Sequence, residues 1–585
     1  MPRNPICGTA RPSGASGSGC GLDARGKLLL LGLFVVISLI TRGAFIGVEI
    51  INGDEAAHIV GSWELLRGNL LYTDFADNKP PLLYAYFALV QLLFGMGMLA
   101  VYLFTITVTV PLTALAVSHF FRYSRTGVVA GAVYLVYGSA FFAGDMLAVN
   151  CELLTMLPAA WAVALLRDEH DALSPPRCLS AGLLIGAASL FKQQAIFWLP
   201  GMALACIAAV LAHREWTGAR KAAAAAKLGS LMAVGAAVPL LAAYAAFAAR
   251  GGQGAFLYWV VEYNIEYISD HVPAAEVVRR IIVNFGPFLL ATCWLWWGAA
   301  RALRHAGSRY FVVLSSGLIL FSFIPAAAGM RLFGHYFIQF YIPLAIASAP
   351  CLEALVRRPL GLAAKLFVAY SVLTWIVFTV INVAVYRLTD RIYEVTFPVY
   401  RHVAQKIEKD PCRREGASMF VWGYSPMFYY YAGLPVATRF VLPQSTITGF
   451  TTGYNDNLDI QASRRFIRRD HWSWMMADLK RKHATYIIDT APAALHSWDK
   501  FPLKSFPELQ EYVKKNYNPV GIVDSVHLYR LKSCARLPQG LPPAPASLPA
   551  GGSLWTAGAK ILIMGGRNGE GLPGPSHLTS TGETR

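Results

Sequence analysis

The hydrophobic residues of this chain come in long blocks, and the polar residues gather between them. Blocks fall at about 28–48, 98–121, 127–148, 152–166, 179–191, 195–212, 223–249, 284–300, 309–329, 336–356 and 361–386. Most approach the roughly 20 residues an α-helix needs to cross hydrocarbon, so the pattern predicts about eleven crossings. One further block, Pro80 to Met96, is shorter and is bounded by Lys79-Pro80-Pro81 and Gly95-Met96-Gly97. The positive-inside rule decides how to treat it. If it lies in the interface, Arg122 and Arg125, Arg167 and Arg177, Arg214, Arg220 and Lys221, Arg301 and Arg304, and Arg357 and Arg358 all fall on the side of the basic N-terminus. If it crosses, every one of those loops flips. The bias places an interfacial helix in a first outer loop, 49–97, with the N-terminus cytoplasmic and the C-terminal region outside.

From about Tyr386 the pattern changes to alternating aromatic and polar positions. Ser418–Trp422, Thr485–Asp489 and Ile522–Leu531 read as strands, and Trp474–Lys482 as a helix. Residues 387–536 are therefore expected to form a small extracytoplasmic α/β domain after a membrane body at 26–386. Residues 1–25 are rich in Gly, Ser, Ala and Pro, residues 537–585 in Pro and Gly, and both are expected to be disordered despite an apolar patch at Ile561–Met564. The span beginning near Leu28 carries no small-x-small cleavage site and reads as an uncleaved anchor.

Composition agrees with a multi-pass membrane protein, whose expected location is the plasma, or inner, membrane. The chain has 585 residues, of which 55% are hydrophobic and 15% charged; a soluble protein carries about a quarter charged residues. The net charge of +17 sits mostly at the ends of apolar blocks, which is where topology needs it. No basic stretch is interleaved with aromatics, so nucleic acid is not an expected partner. Cys412 and Cys534 both lie in the polar C-terminal region and can bridge its two ends if that region is outside the cytoplasm.

The densest cluster of chemistry lies in Asn52–Leu82. Asn52 or Asp54 can cap a short helix with acids in its first turn, and Gly68 can stop it. Asp54-Glu55, the turn Gly68-x-Leu70-x-Tyr72 and Lys79-Pro80-Pro81-Leu82 together resemble the first outer loop of GT-C glycosyltransferases. The similar branch holds protein O-mannosyltransferases and lipid A aminoarabinose transferases. Phe191-Lys192-Gln193-Gln194, Gly334-His335-Tyr336-Phe337-x-Gln339 and Val421-Trp422-Gly423-Tyr424 continue the resemblance over about residues 26–530, in family order.

That resemblance implies transfer of a sugar from a polyprenyl-phosphate donor to a lipid, glycan or protein acceptor, with inversion, and assigns Asp54 as general base, oriented by Glu55 or His58. Such a reaction needs cations for the leaving phosphate at the depth of the lipid headgroup. Lys79 at a helix start is the first candidate, followed by Lys192, Arg331 and His335. Asp145, Glu152, Glu262, Tyr336 and Gln339 are candidates for sugar or acceptor contacts. No cofactor is required. A divalent metal on Asp54, Glu55 and His58 is conceivable from their spacing, although some relatives work without one. Competing readings are a secondary transporter or lipid-linked glycan flippase, which intramembrane charges would suit, and a non-catalytic scaffold of envelope assembly.

Overall fold

A computed structural model describes residues 22–269, 272–357, 361–389, 398–414, 416–442, 445–449 and 467–536. Of the segments expected to be disordered, 1–25 and 537–585, residues 1–21 and 537–585 with the apolar patch lie outside the described residues, whereas the end of the first is ordered. The chain becomes helical at Ala24, where the Asp23 side chain accepts the Gly26 N–H at 2.7 Å and caps the helix.

Among the described residues, seven helices are long and apolar enough to cross a membrane, and an eighth if the bent pair Ala274–Ala291 and Cys293–Arg304 is one span. All eight match predicted blocks. The three other predicted crossings are the helices Arg125–Tyr137, Cys151–Leu165 and Pro175–Ser189, of 13, 15 and 15 residues, and a count of eleven stands on them. Most of the side chains of Cys151–Leu165 are buried. Pro175–Ser189 lies against Gly218–Ala248 through small residues, and a Cβ on Gly182 would meet the Met232 carbonyl oxygen at 2.1 Å.

The predicted span 127–148 breaks early. Its helix ends at Tyr137, and the chain winds through Gly138–Asn150 with only a four-residue helix, Ala143–Met146. Non-helical backbone at this depth survives only where protein groups satisfy its hydrogen bonds, and several buried side chains do so here. The ambiguous block becomes the helix Pro81–Phe94, with a proline in its first turn. Its 14 residues span about 21 Å at 1.5 Å each, short of the roughly 30 Å hydrocarbon thickness.

The C-terminal region forms a four-stranded sheet of β1 (Met419–Trp422), β2 (Tyr486–Asp489), β3 (Tyr517–Val523) and β4 (Val526–Leu531) in the order β1-β2-β4-β3. β1 and β2 pair in parallel and the remaining pairs are antiparallel. The single strand expected at Ile522–Leu531 is instead a hairpin. Asp524 and Ser525 both have positive φ, 47° and 67°, as a two-residue turn of type I′ demands; without an Asn-Gly or Asp-Gly pair the turn left no signal.

The first outer loop and the C-terminal domain share one hydrophobic cluster, distinct from that of the bundle. Trp63 stacks on Tyr430 with ring centroids 5.7 Å apart. The buried Glu64 accepts from Arg67 Nη1 at 2.6 Å, Asn69 Nδ2 at 2.5 Å and the Val436 N–H at 3.4 Å.

Cys412 and Cys534 form a disulfide across the domain. Replacing both with Ser should destabilise the domain by about 2–4 kcal/mol, read as a lower melting temperature. Intact mass with and without reductant and thiol alkylation should show one bridge. Free thiols at both positions in the oxidised preparation would contradict this.

Candidate active site

Asn52 caps the helix Gly53–Leu66, and its Oδ1 accepts the Glu55 N–H at 3.0 Å. Glu55 reaches back in a capping box, so that its Oε2 accepts the Ile51 N–H at 2.6 Å and the Asn52 N–H at 3.4 Å. Its Oε1 accepts the Val149 N–H at 2.6 Å. Glu55 is thus buried with both oxygens taken. Burial pushes its carboxyl up to about 7, against three backbone donors that favour the ionised form. The helix that spends Asn52 and Glu55 on its own start leaves the intervening Asp54 side chain free to face a cavity.

His58, one turn further on, is buried with its ring edge-on to Phe87 and Tyr84. Burial lowers its imidazole to about 4, so it is neutral at physiological pH. The spacing that suggested a metal at Asp54, Glu55 and His58 is therefore not realised. Glu55 is committed to amide donors and His58 to an aromatic pocket. Among the described residues no group of three or more His, Cys, Asp or Glu side chains is placed to hold an ion.

The cavity has a volume of about 360 Å³. The first outer loop contributes Asn52, Asp54, Asp77, Asn78 and Lys79 to its wall, and the wound segment contributes Gly144 and Asp145. Lys192, His335 and Tyr336 come from the ends of membrane helices, and Trp259, Tyr263 and Tyr267 form an aromatic side. The C-terminal domain closes it with Tyr424, Met427, Phe440 and His496.

Asn78 is the hub of the Lys-Pro-Pro corner. Its Oδ1 accepts from Lys79 Nζ at 3.0 Å, and its carbonyl accepts from Gln193 Nε2 at 2.8 Å and Asn264 Nδ2 at 3.0 Å. Burial disfavours the Lys79 ammonium, but Asp77 and Asp54 outweigh it and raise its pKa well above the usual lysine value. Asp77 is engaged by Tyr84 Oη at 2.6 Å.

Opposite this corner the charges alternate. Lys192 Nζ lies 2.9 Å from Glu152 Oε1 and 5.3 Å from the Tyr336 ring centre. Glu152 Oε1 lies 4.0 Å from His335 Nε2, and His335 Nδ1 lies 3.3 Å from Asp145 Oδ1. The His335 backbone N–H donates to the same Asp145 oxygen at 3.1 Å. This closeness needs glycine beside it: a Cβ on Gly334 would sit 2.6 Å from the Asp145 carboxyl.

Of the residues singled out from sequence, Asp54, Lys79, Asp145, Lys192, His335 and Tyr336 line the cavity. Glu152 and Gln339 sit behind Lys192 around a small void, and Gln339 Nε2 donates to the Tyr336 carbonyl at 2.8 Å. Arg331 is buried outside the cavity wall, its guanidinium 3.7 Å from the Tyr267 ring centre; it supports an aromatic wall residue. Glu262 is exposed and away from the cavity. Sequence reasoning missed Asn52, Asn78 and His496 as wall residues. Asn78 had a signal in its place beside Lys79; His496 had none, because its position depends on the C-terminal domain docking.

The fold is similar to that of solved membrane-protein structures. Two crystal structures of ArnT from Cupriavidus metallidurans, a lipid A aminoarabinose transferase, are similar to this chain. The one bound to undecaprenyl phosphate matches with TM-score 0.52 and 13% identity over 88% of this chain and 100% of that one. The apo one matches with TM-score 0.50 and 13% identity over 88% and 99%. An oligosaccharyltransferase from Archaeoglobus fulgidus matches at TM-score 0.45 and 12% identity over 87% and 75%. No protein-family model and no curated protein matches the chain.

Lys192→Met should strand the buried Glu152 carboxylate and cost about 3–5 kcal/mol. The double change with Glu152→Gln should recover a large part of that loss in thermal melts of the purified protein. Additive losses would mean that the two side chains are not coupled.

Proposed function

We propose that the protein transfers a sugar from a polyprenyl-phosphate carrier to a hydroxyl of a lipid, glycan or protein acceptor on the extracytoplasmic side of the plasma membrane. The observation that carries this reading is the Asp54 carboxylate. Asp77 and Asp145, the other cavity acids, are held by Tyr84 and His335, whereas Asp54 accepts no hydrogen bond among the described residues. An acid left open in a cavity, facing Lys79 and Lys192, has the geometry to take a proton from an attacking hydroxyl.

In this mechanism Asp54 orients the acceptor hydroxyl and receives its proton. The hydroxyl oxygen attacks the anomeric carbon in a single displacement, and the carbon–phosphate-oxygen bond breaks with inversion. Lys79, Lys192 and His335 take up the charge developing on the leaving phosphate. The aromatic side formed by Trp259, Tyr263 and Tyr267 offers flat faces to a sugar ring. ArnT, the structure of similar fold, binds undecaprenyl phosphate, which supports a lipid-borne donor of this class. The disulfide supports an extracytoplasmic domain, because such bonds persist in oxidising compartments.

Purified protein reconstituted with polyprenyl-phosphate sugars and a membrane extract should form a glycosylated product. Asp54→Asn should lower kcat by about 10²–10⁴ while donor binding is kept. Undiminished transfer by Asp54→Asn removes the mechanism, and movement of lipid-linked sugar without a covalent product favours a flippase.

The pH profile gives a separate check. Burial pushes the Asp54 carboxyl up, but the surrounding cationic groups, led by Lys79, outweigh it and hold its pKa below the ordinary value. A depressed folded-state value keeps the carboxylate ionised as pH falls, and the base is lost only on passing through that lowered value. Transfer should therefore persist into mildly acid solution, and Lys79→Met should move the acid limb to higher pH. An acid limb that Lys79→Met leaves in place would assign it to another group.

A further inference from the structure

We propose that Arg42, at the end of the first membrane helix, is a positioning residue for the cavity: it holds the wound Gly138–Asn150 segment in shape and so fixes Asp145 against His335. Nothing in the residue's sequence context marks it, since it looks like one more basic residue at the end of an apolar block. In the fold it points inward and is 2% exposed. Its Nη1 donates to the Met146 carbonyl and its Nη2 to the Gly138 carbonyl, each at 2.7 Å. Among the described residues no carboxylate forms an ion pair with it. A buried guanidinium without a counter-ion is costly, and a residue that only filled space there would be apolar.

What the charge does becomes clear from the hydrogen bonds of the segment. Backbone that leaves a helix inside a bundle must find partners for each freed group. The Gly144 carbonyl accepts from Asn52 Nδ2 at 2.8 Å, the Asp145 carbonyl from Asn150 Nδ2 at 3.2 Å, and the Phe141 carbonyl from Asn382 Nδ2 at 2.9 Å. Glu55 accepts the Val149 N–H. Asn52 and Glu55 thus grip the segment from the outer-loop helix, and Arg42 grips it from the membrane side at both ends of the turn that carries Asp145. The bidentate reach of a guanidinium suits two carbonyls on one turn; a lysine ammonium on its single stem reaches them as one point charge. The Arg42 backbone is fixed in turn, because its carbonyl accepts from Tyr102 Oη at 2.9 Å.

This inference rests on the transferase reading for its kinetic consequences but not for its structural ones, and the test separates the two. Hydrogen exchange measured by mass spectrometry should show faster exchange in peptides covering 138–150 of Arg42→Met than in wild type, with the C-terminal domain unchanged. Arg42→Lys should lie between the two, and it serves alone if the Met variant does not fold. In the reconstituted transfer assay Arg42→Met should lower kcat on the order of 100-fold, as a misplaced catalytic group does. In an Asp145→Asn background the same change should cost less than about threefold, because residues acting through one another are not additive. Unchanged exchange in 138–150, or losses that multiply across the two sites, would overturn the role of Arg42. Selective deprotection in a protein whose wild type transfers nothing would leave Arg42 in place and overturn the transferase reading.

Discussion

Charges buried at one end of an apolar bundle are stable only when an opposite charge or hydrogen-bond partners replace the lost water, and the row Lys192, Glu152, His335, Asp145 uses opposite charges. Three stretches of the chain, 145–152, Lys192 and His335, meet to make it. Their mutual attraction in a poorly screened interior compensates for the water each has given up. The row also fixes the helix ends that carry it, and the cavity forms between it and the Lys-Pro-Pro corner. Removing Lys192 leaves the buried Glu152 carboxylate without its close cation, so the same interaction that holds the helix ends also holds a cation at the cavity.

The first outer loop is the second component, and it belongs structurally to the C-terminal domain. Trp63 lies on Tyr430, Glu64 accepts from Val436, and the Ala76 N–H donates to the Arg439 carbonyl at 2.8 Å. From the other side Tyr258 Oη meets His471 Nε2 at 2.7 Å, and burial lowers that imidazole to about 4, keeping it neutral in its aromatic surroundings. The cavity therefore has a membrane-embedded floor and a roof of the α/β domain.

Much of this was legible in the sequence. Block length and the placement of Arg and Lys predict the membrane body, and alternation predicts the C-terminal strands β1 and β2. The clustering of Asp54, Lys79, Lys192 and His335 in a family-like order predicted a shared site, and these side chains do line one cavity. The readings that changed have physical causes. Glu55, read as orienting Asp54 because both are acids in a first turn, is instead taken up by the capping box with Asn52 and by the Val149 N–H of a distant segment. By spacing His58 suits a plain helix-face histidine better than a ligand, and the rings of Tyr84 and Phe87 place it in the core. Glu262 is solvated at the end of the wider helical turn Tyr258–Glu262, as an acid in a loop region commonly is.

The sequence by itself determined where the chain is apolar, which segments are basic and which local caps and turns it can form, because these follow from residue type and near-neighbour spacing. Only the tertiary structure decided which polar groups are committed and which stay open. Asp54 is available because Asn52 and Glu55 are used elsewhere, and Asp145 reaches His335 because Arg42 satisfies a turn more than ninety residues away in sequence. Hydrogen-bond partners at that separation depend on packing, and packing leaves no periodic trace in the chain.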